Sequence, residues 1–134
     1  MMLFFPRLLA VVLLLSTSLL TGCGSKPVVV TDEESGELVE LSKGQELQVK
    51  LPSNPTTGYS WGLTENADQI LSTSGKSFFT QDTSGEGQVG VGGIETWVFD
   101  AAEPGETTLR FEYRQPFEKG ALPVKVIRYQ IKVS

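Results

Sequence analysis

The chain has 134 residues, with 11 Lys and Arg against 16 Asp and Glu for a net charge of −5, no histidine and one cysteine. Without histidine there is no Ser-His or Cys-His nucleophile and no ordinary zinc site. A lone cysteine cannot close an intramolecular disulfide, and basic residues scattered among acidic ones leave no footprint for nucleic acid. No catalytic residue, metal or cofactor is therefore expected, and the chain is not expected to be an enzyme. The acids nearest the loops, Glu86, Glu95 and Glu118, lie on hydrophilic stretches and are read as a solvated face rather than as a glycosidase pair.

The N-terminus differs from everything after it. Arg7 is its single charge, and Leu8 to Leu20 is apolar apart from Ser16, Thr17 and Ser18, too short a run for a spanning helix and suited to the h-region of an export signal. Leu20-Thr21-Gly22-Cys23 then resembles the lipobox of bacterial lipoproteins, in which the cysteine is acylated and becomes the mature N-terminus; the plain alternative is a lone thiol in an ordinary signal peptide. The resemblance implies a signal over residues 1–22, a lipidated N-terminus and short tether over 23–27, and one exported domain over 28–134. Gly24 stands where inner-membrane retention would place Asp. By resemblance the protein is an outer-membrane lipoprotein facing the periplasm or the cell surface.

Along the exported part, Val28 to Val30 and Glu37 to Leu41 are the first strand-like runs. Glu46 to Leu51 alternates apolar and polar residues, the period of a sheet with one face buried. Further runs follow at Tyr59 to Leu63, Phe78 and Phe79, Ile94 to Phe99, and Thr107 to Tyr113. Val124 to Val133 changes parity after Val126, which suggests a bulge. Glu65 to Leu71 is too short and poorly patterned to count as a helix, and Gln81 to Gly93 reads as a long loop, with disorder as the alternative. Seven to eight short strands punctuated by Gly, Pro and Asn predict an all-β, immunoglobulin-like antiparallel β-sandwich. A monomer is expected.

Three loops stand out. In the first, Asn54 is pushed toward extended geometry by Pro55, Pro55 fixes its own φ, and Gly58 can adopt a φ that its neighbours cannot, so Thr56 and Thr57 are held in few conformations. That is either a presented binding tip or an ordinary tight turn. The second is Gly90-Val91-Gly92-Gly93, where glycines permit close backbone approach. The third is Arg114-Gln115-Pro116-Phe117, with a large apolar side chain on a proline-stiffened turn. Alternate connections of a sandwich emerge at the same end, so all three are expected on one edge.

Leu51 to Gly58 with Tyr59 and Trp61, Gly90 to Gly93 and Arg114 to Phe117 occur in the order of the three loops of chagasin-type inhibitors of papain-like cysteine peptidases, and from about Val28 to Val133 the chain resembles that family. One departure is visible: the family has Arg directly before Pro, whereas Gln115 holds that place here, Arg114 lies one residue earlier, and Phe117 replaces Trp. The resemblance implies a reversible competitive inhibitor whose loops wedge into a peptidase cleft, with Thr56 and Thr57 nearest the catalytic cysteine. The competing reading is a lipid-anchored envelope module binding a glycan or another envelope protein.

Overall fold

The computed structural model describes residues 25–82 and 92–134. The signal segment, Cys23, Gly90, Val91 and the greater part of the Gln81 to Gly93 tract lie outside the described residues. Within them are nine strands: β1 (Val28–Thr31), β2 (Leu38–Leu41), β3 (Glu46–Ser53), β4 (Ser60–Glu65), β5 (Leu71–Ser72), β6 (Ser77–Gln81), β7 (Gly93–Ala101), β8 (Gly105–Arg114) and β9 (Lys125–Val133). One sheet runs β1-β3-β7, with β5 and β6 both along the far side of β7; the other runs β2-β9-β8-β4. The fold is all-β, two sheets packed as a sandwich.

Alternation explains which face each strand buries. Leu47, Val49 and Leu51 of β3 point inward, as do Trp97 and Phe99 of β7, Leu109 and Phe111 of β8, and Ile127, Tyr129, Ile131 and Val133 of β9. Phe111 meets Trp97 and Phe99 edge-on across the two sheets. Each such side chain, taken fully out of water, contributes about 1.5–3 kcal/mol before entropy is counted. Trp61 is also buried, and its Nε1 donates to Pro52 O at 2.9 Å.

Three expectations are corrected. The sheets are mixed rather than antiparallel, because β1 runs parallel to β3 and β2 parallel to β9. The chain leaves β1 through a 3-10 turn at Asp32–Glu34 and crosses to the other sheet, so β1 and β2 each settle beside a strand running their own way. The count is nine rather than seven to eight, since both N-terminal runs form strands and β5, two residues long, is too short for alternation to reveal. The bulge is not in β9, whose register with β8 is unbroken from Gly105↔Val133 to Tyr113↔Lys125; Val126 simply faces outward. The irregularity is instead in β4, between Leu63 and Glu65.

The registers define two poles. At one, β3 ends and β7 begins as the pair Ser53↔Gly93, while β4 begins and β8 ends as Ser60↔Arg114. At the other, Gln45 Nε2 donates to Lys26 O at 2.8 Å and Lys43 N–H donates to Ser134 O at 3.0 Å. All three loops of interest leave from the first pole, and both ends of the described domain from the second.

Candidate functional site

The first loop is a 3-10 turn over Pro55–Thr57 with Asn54 as its cap. Asn54 Oδ1 accepts from the Thr56 N–H at 3.2 Å and from Thr56 Oγ1 at 2.5 Å, and Asn54 O accepts from the Thr57 N–H at 3.1 Å and Thr57 Oγ1 at 2.6 Å. Gly58 closes the turn at φ +80°, in the left-handed region that glycine tolerates, donating to Pro55 O at 3.1 Å. Both hydroxyl protons are thus used inside the loop. Pro55, Thr56 and Thr57 are exposed, so what the tip presents outward is oxygen lone pairs, methyl groups and a proline ring.

Beneath the tip lies an aromatic platform. Tyr113, near the end of β8, stacks on Trp61 at 4.7 Å between ring centroids and meets Tyr59 at 5.5 Å. Its hydroxyl accepts the Asn54 N–H at 3.1 Å, and its carbonyl accepts the Val124 N–H at 2.9 Å as the chain returns from the third loop. Tyr113 therefore braces both loops at once. Sequence reasoning placed it on a strand and missed this role; the signal was its inward parity two residues before Gln115.

Of the second loop, Gly92 and Gly93 are described. A Cβ on Gly92 would stand 3.2 Å from Ser53 O, which puts this loop directly against the first. At Gly93 the close approach is intramolecular: a Cβ there would fall 2.1 Å from Thr80 O and 2.9 Å from Gln81 Cα, inside the β6–β7 hairpin. Gly93 serves strand pairing. Glu95, two residues on, is buried rather than solvated, because it shares the inward parity of Trp97 and Phe99 and stands in register with Leu51; its Oε1 accepts from Ser77 Oγ of β6 at 2.6 Å. Glu118 is exposed as expected, and Glu86 lies outside the described residues.

In the third loop Phe117 is 68 % exposed, yet its ring edge reaches the first loop: a Cβ on Gly58 would meet Phe117 Cε1 and Cζ at 3.4 Å. Gln115 and exposed Pro116 lead to it, with the Glu118 N–H donating to Gln115 O at 3.2 Å. Arg114 does not join this tip. Its guanidinium turns onto the outer face of β8 and donates through Nη2 to Glu112 Oε2, while Arg110 Nη1 holds Glu112 Oε1 at 2.9 Å. Burial alone would raise the Glu112 pKa, but the two arginines more than reverse this and hold it below the ordinary carboxylate value. The structure thus brings Asn54 to Gly58, Gly92, Gly93 and Gln115 to Phe117 into one continuous edge and leaves Arg114 off it.

The family described as chagasin family peptidase inhibitor I42 matches residues 40–133. Amoebiasin-2 of Entamoeba histolytica is 26% identical over 110 residues, spanning 78% of this chain and 84% of its own, and chagasin of Trypanosoma cruzi is 27% identical over 92 residues, spanning 66% and 81%. Among solved structures, the cysteine protease inhibitor EhICP2 from Entamoeba histolytica superposes with a TM-score of 0.72 at 25% identity, over 81% of this chain and 96% of that one.

Proposed function

The chain belongs to the chagasin family of peptidase inhibitors, and on that premise we propose that it blocks papain-like cysteine peptidases by pressing its three-loop edge into their substrate cleft. The observation that carries this reading is the first loop. A peptidase cleaves a chain it holds extended, with the attacking atom about 3–3.5 Å from an aligned carbonyl. Pro55–Thr57 is a 3-10 turn tied to Asn54 by its own hydrogen bonds, so it can occupy the cleft without offering a carbonyl in attack alignment.

The chemistry of the tip suits such a target. A cysteine peptidase carries a thiolate beside an imidazolium, and the lone pairs of Thr56 and Thr57 accept hydrogen bonds from the cationic side without burying an unpaired charge. Phe117 and Pro116 add apolar contact at one flank, and the backbone at Gly92 offers close approach at the other. Because the loops are braced by Tyr113 and by one another, little ordering entropy is lost on binding. Titration of papain-family peptidases with the domain is expected to give nanomolar inhibition constants; no inhibition at micromolar protein overturns the reading and leaves the envelope-binding alternative.

We further read the protein as a monomeric bacterial lipoprotein, cut before Cys23 and anchored by it to the outer membrane. Support comes from Leu20-Thr21-Gly22-Cys23 and from the absence of any other cysteine in the chain. Mass spectrometry of the mature protein checks it, an unmodified Cys23 being the contrary result.

A further inference from the structure

The arginine that is missing from the tip of the third loop has a place in the fold. On the outer face of the β2-β9-β8-β4 sheet, Arg110, Glu112 and Arg114 alternate along β8, and Val126 and Arg128 of β9 lie opposite Glu112 and Arg110 in register. Arg110 and Arg128 are directly opposed, a like-charge pair that costs the sheet stability. Glu112, 7 % exposed, is engaged by Arg110 and Arg114; the exposed Arg128 side chain has no partner among the described residues. Lower on the same face Lys132 stands between Glu106 and Glu40, one cation against two carboxylates, so the excess cation lies in the upper half. Glu65 of β4 stands in register with Arg110 on its other side, so the upper half sets three guanidiniums against two carboxylates, and Arg128 is the guanidinium left over, in a chain whose net charge is −5.

This half also runs into the loop edge. Val126 is 40 % exposed, Val124 62 % and Leu122 87 %, on the stretch by which the chain returns from the third loop into β9, with the Val124 N–H on Tyr113 O. We propose that this arginine-bordered apolar strip is a second contact with the target peptidase, receiving an acidic surface beside the cleft on the flank of the third loop. The inference rests on the reading of the loop edge as inhibitory. Cations at the rim of an interface act chiefly on the rate of encounter and on its salt dependence, and the complementary partner for the unpaired Arg128 guanidinium is a carboxylate-bearing surface.

Arg128→Glu tests it in the full-length protein, with stopped-flow association against two papain-family peptidases of opposite net charge, from roughly 0.01 to 1 M ionic strength, across which the screening length falls from about 30 to 3 Å. With the acidic peptidase the variant is expected to associate about tenfold more slowly at low salt, the difference vanishing at high salt. Its Tm should equal or exceed that of the parent, since Arg110 then faces a carboxylate. Equal association rates at every salt, while the parent still inhibits both enzymes, overturn the second contact and leave the loop reading intact. Loss of inhibition by the parent itself overturns both. Flotation of the parent, prepared without its acyl chains, with phosphatidylglycerol vesicles that Arg128→Glu abolishes, without change in association rate, assigns the face to lipid and also overturns the proposal.

Discussion

The first and third loops share one edge but are built on opposite principles. The first is held from within: Asn54 takes two bonds on its side chain and two on its carbonyl, and the exposed residues have no free hydroxyl proton left. The third is held from outside, by the Val124 bond to Tyr113 O, by ring contact between Phe117 and Gly58, and by Arg114 gripping Glu112 back on the sheet. A self-bonded loop keeps its shape whatever it meets. A loop seated on its neighbours transmits their disturbance, so the third loop should be the more forgiving of change in its own side chains and the more sensitive to change beneath it.

That contrast can be broken most forcefully at the first loop. Thr57→Arg puts a long cation at the exposed centre of the tip and is expected to raise the inhibition constant about 100-fold, about 2.8 kcal/mol at 1.4 kcal/mol per decade, with the domain still folded and its Tm lowered only by the loss of the Thr57 Oγ1 bond to Asn54 O. Inhibition unchanged within error would remove the first loop from the contact surface. Phe117→Ala, deleting the largest apolar group of the third loop, should cost about tenfold in affinity and leave Tm within a degree or so because the ring is mostly in water. Should Phe117→Ala prove the more damaging, the ranking of the two loops is reversed.

Asn54→Ala sharpens the comparison by unlacing the first loop without touching its outward atoms. Loss of a capping acceptor costs about 1 kcal/mol, which corresponds to roughly fivefold in the inhibition constant if the tip loosens; calorimetry and titration on the same variant read both quantities. The smallest effect lies beneath the third loop. Glu112 has a folded pKa below its unfolded value, so its ion pairs contribute stability that is fully present above the ordinary carboxylate pKa and lost as pH falls through the depressed one. Thermal melts of the parent should therefore decline as pH drops below the carboxylate range. In Glu112→Gln that part of the decline should be absent, and a parallel decline would show that other carboxylates govern it.

Much of this was readable in the chain because it is carried by local pattern. The alternation in Glu46 to Leu51 and in Thr107 to Tyr113 named the buried faces of β3 and β8 correctly, and the first loop, Gly92, Gly93 and the third loop lie at one pole. Parallel pairing of β1 with β3 was not readable, because it depends on where the crossover at Asp32–Glu34 delivers the chain, a long-range choice that no window of residues contains. In β9 the apparent change of parity came from counting Val124 and Val126 as core when they are outward valines. Arg114 was half legible: alternation turns its side chain away from that of Gln115, which left its contact open, but its place beside Glu112 and Arg110 on one face depends on the fold of β8. At Gly93 the sequence shows only that close backbone approach is allowed, and the approach the structure shows there is to Thr80 O within its own hairpin.

The position of residues 25–27 and of Ser134 at the pole away from the loops has a practical consequence. Both ends can carry cargo without crowding the edge, so copies joined tail to head would present every edge outward like teeth on a comb. A bead or sensor chip coupled through either end would hold the domain with its working face toward the liquid. The fold thus supplies a ready-made capture reagent, oriented by its own topology.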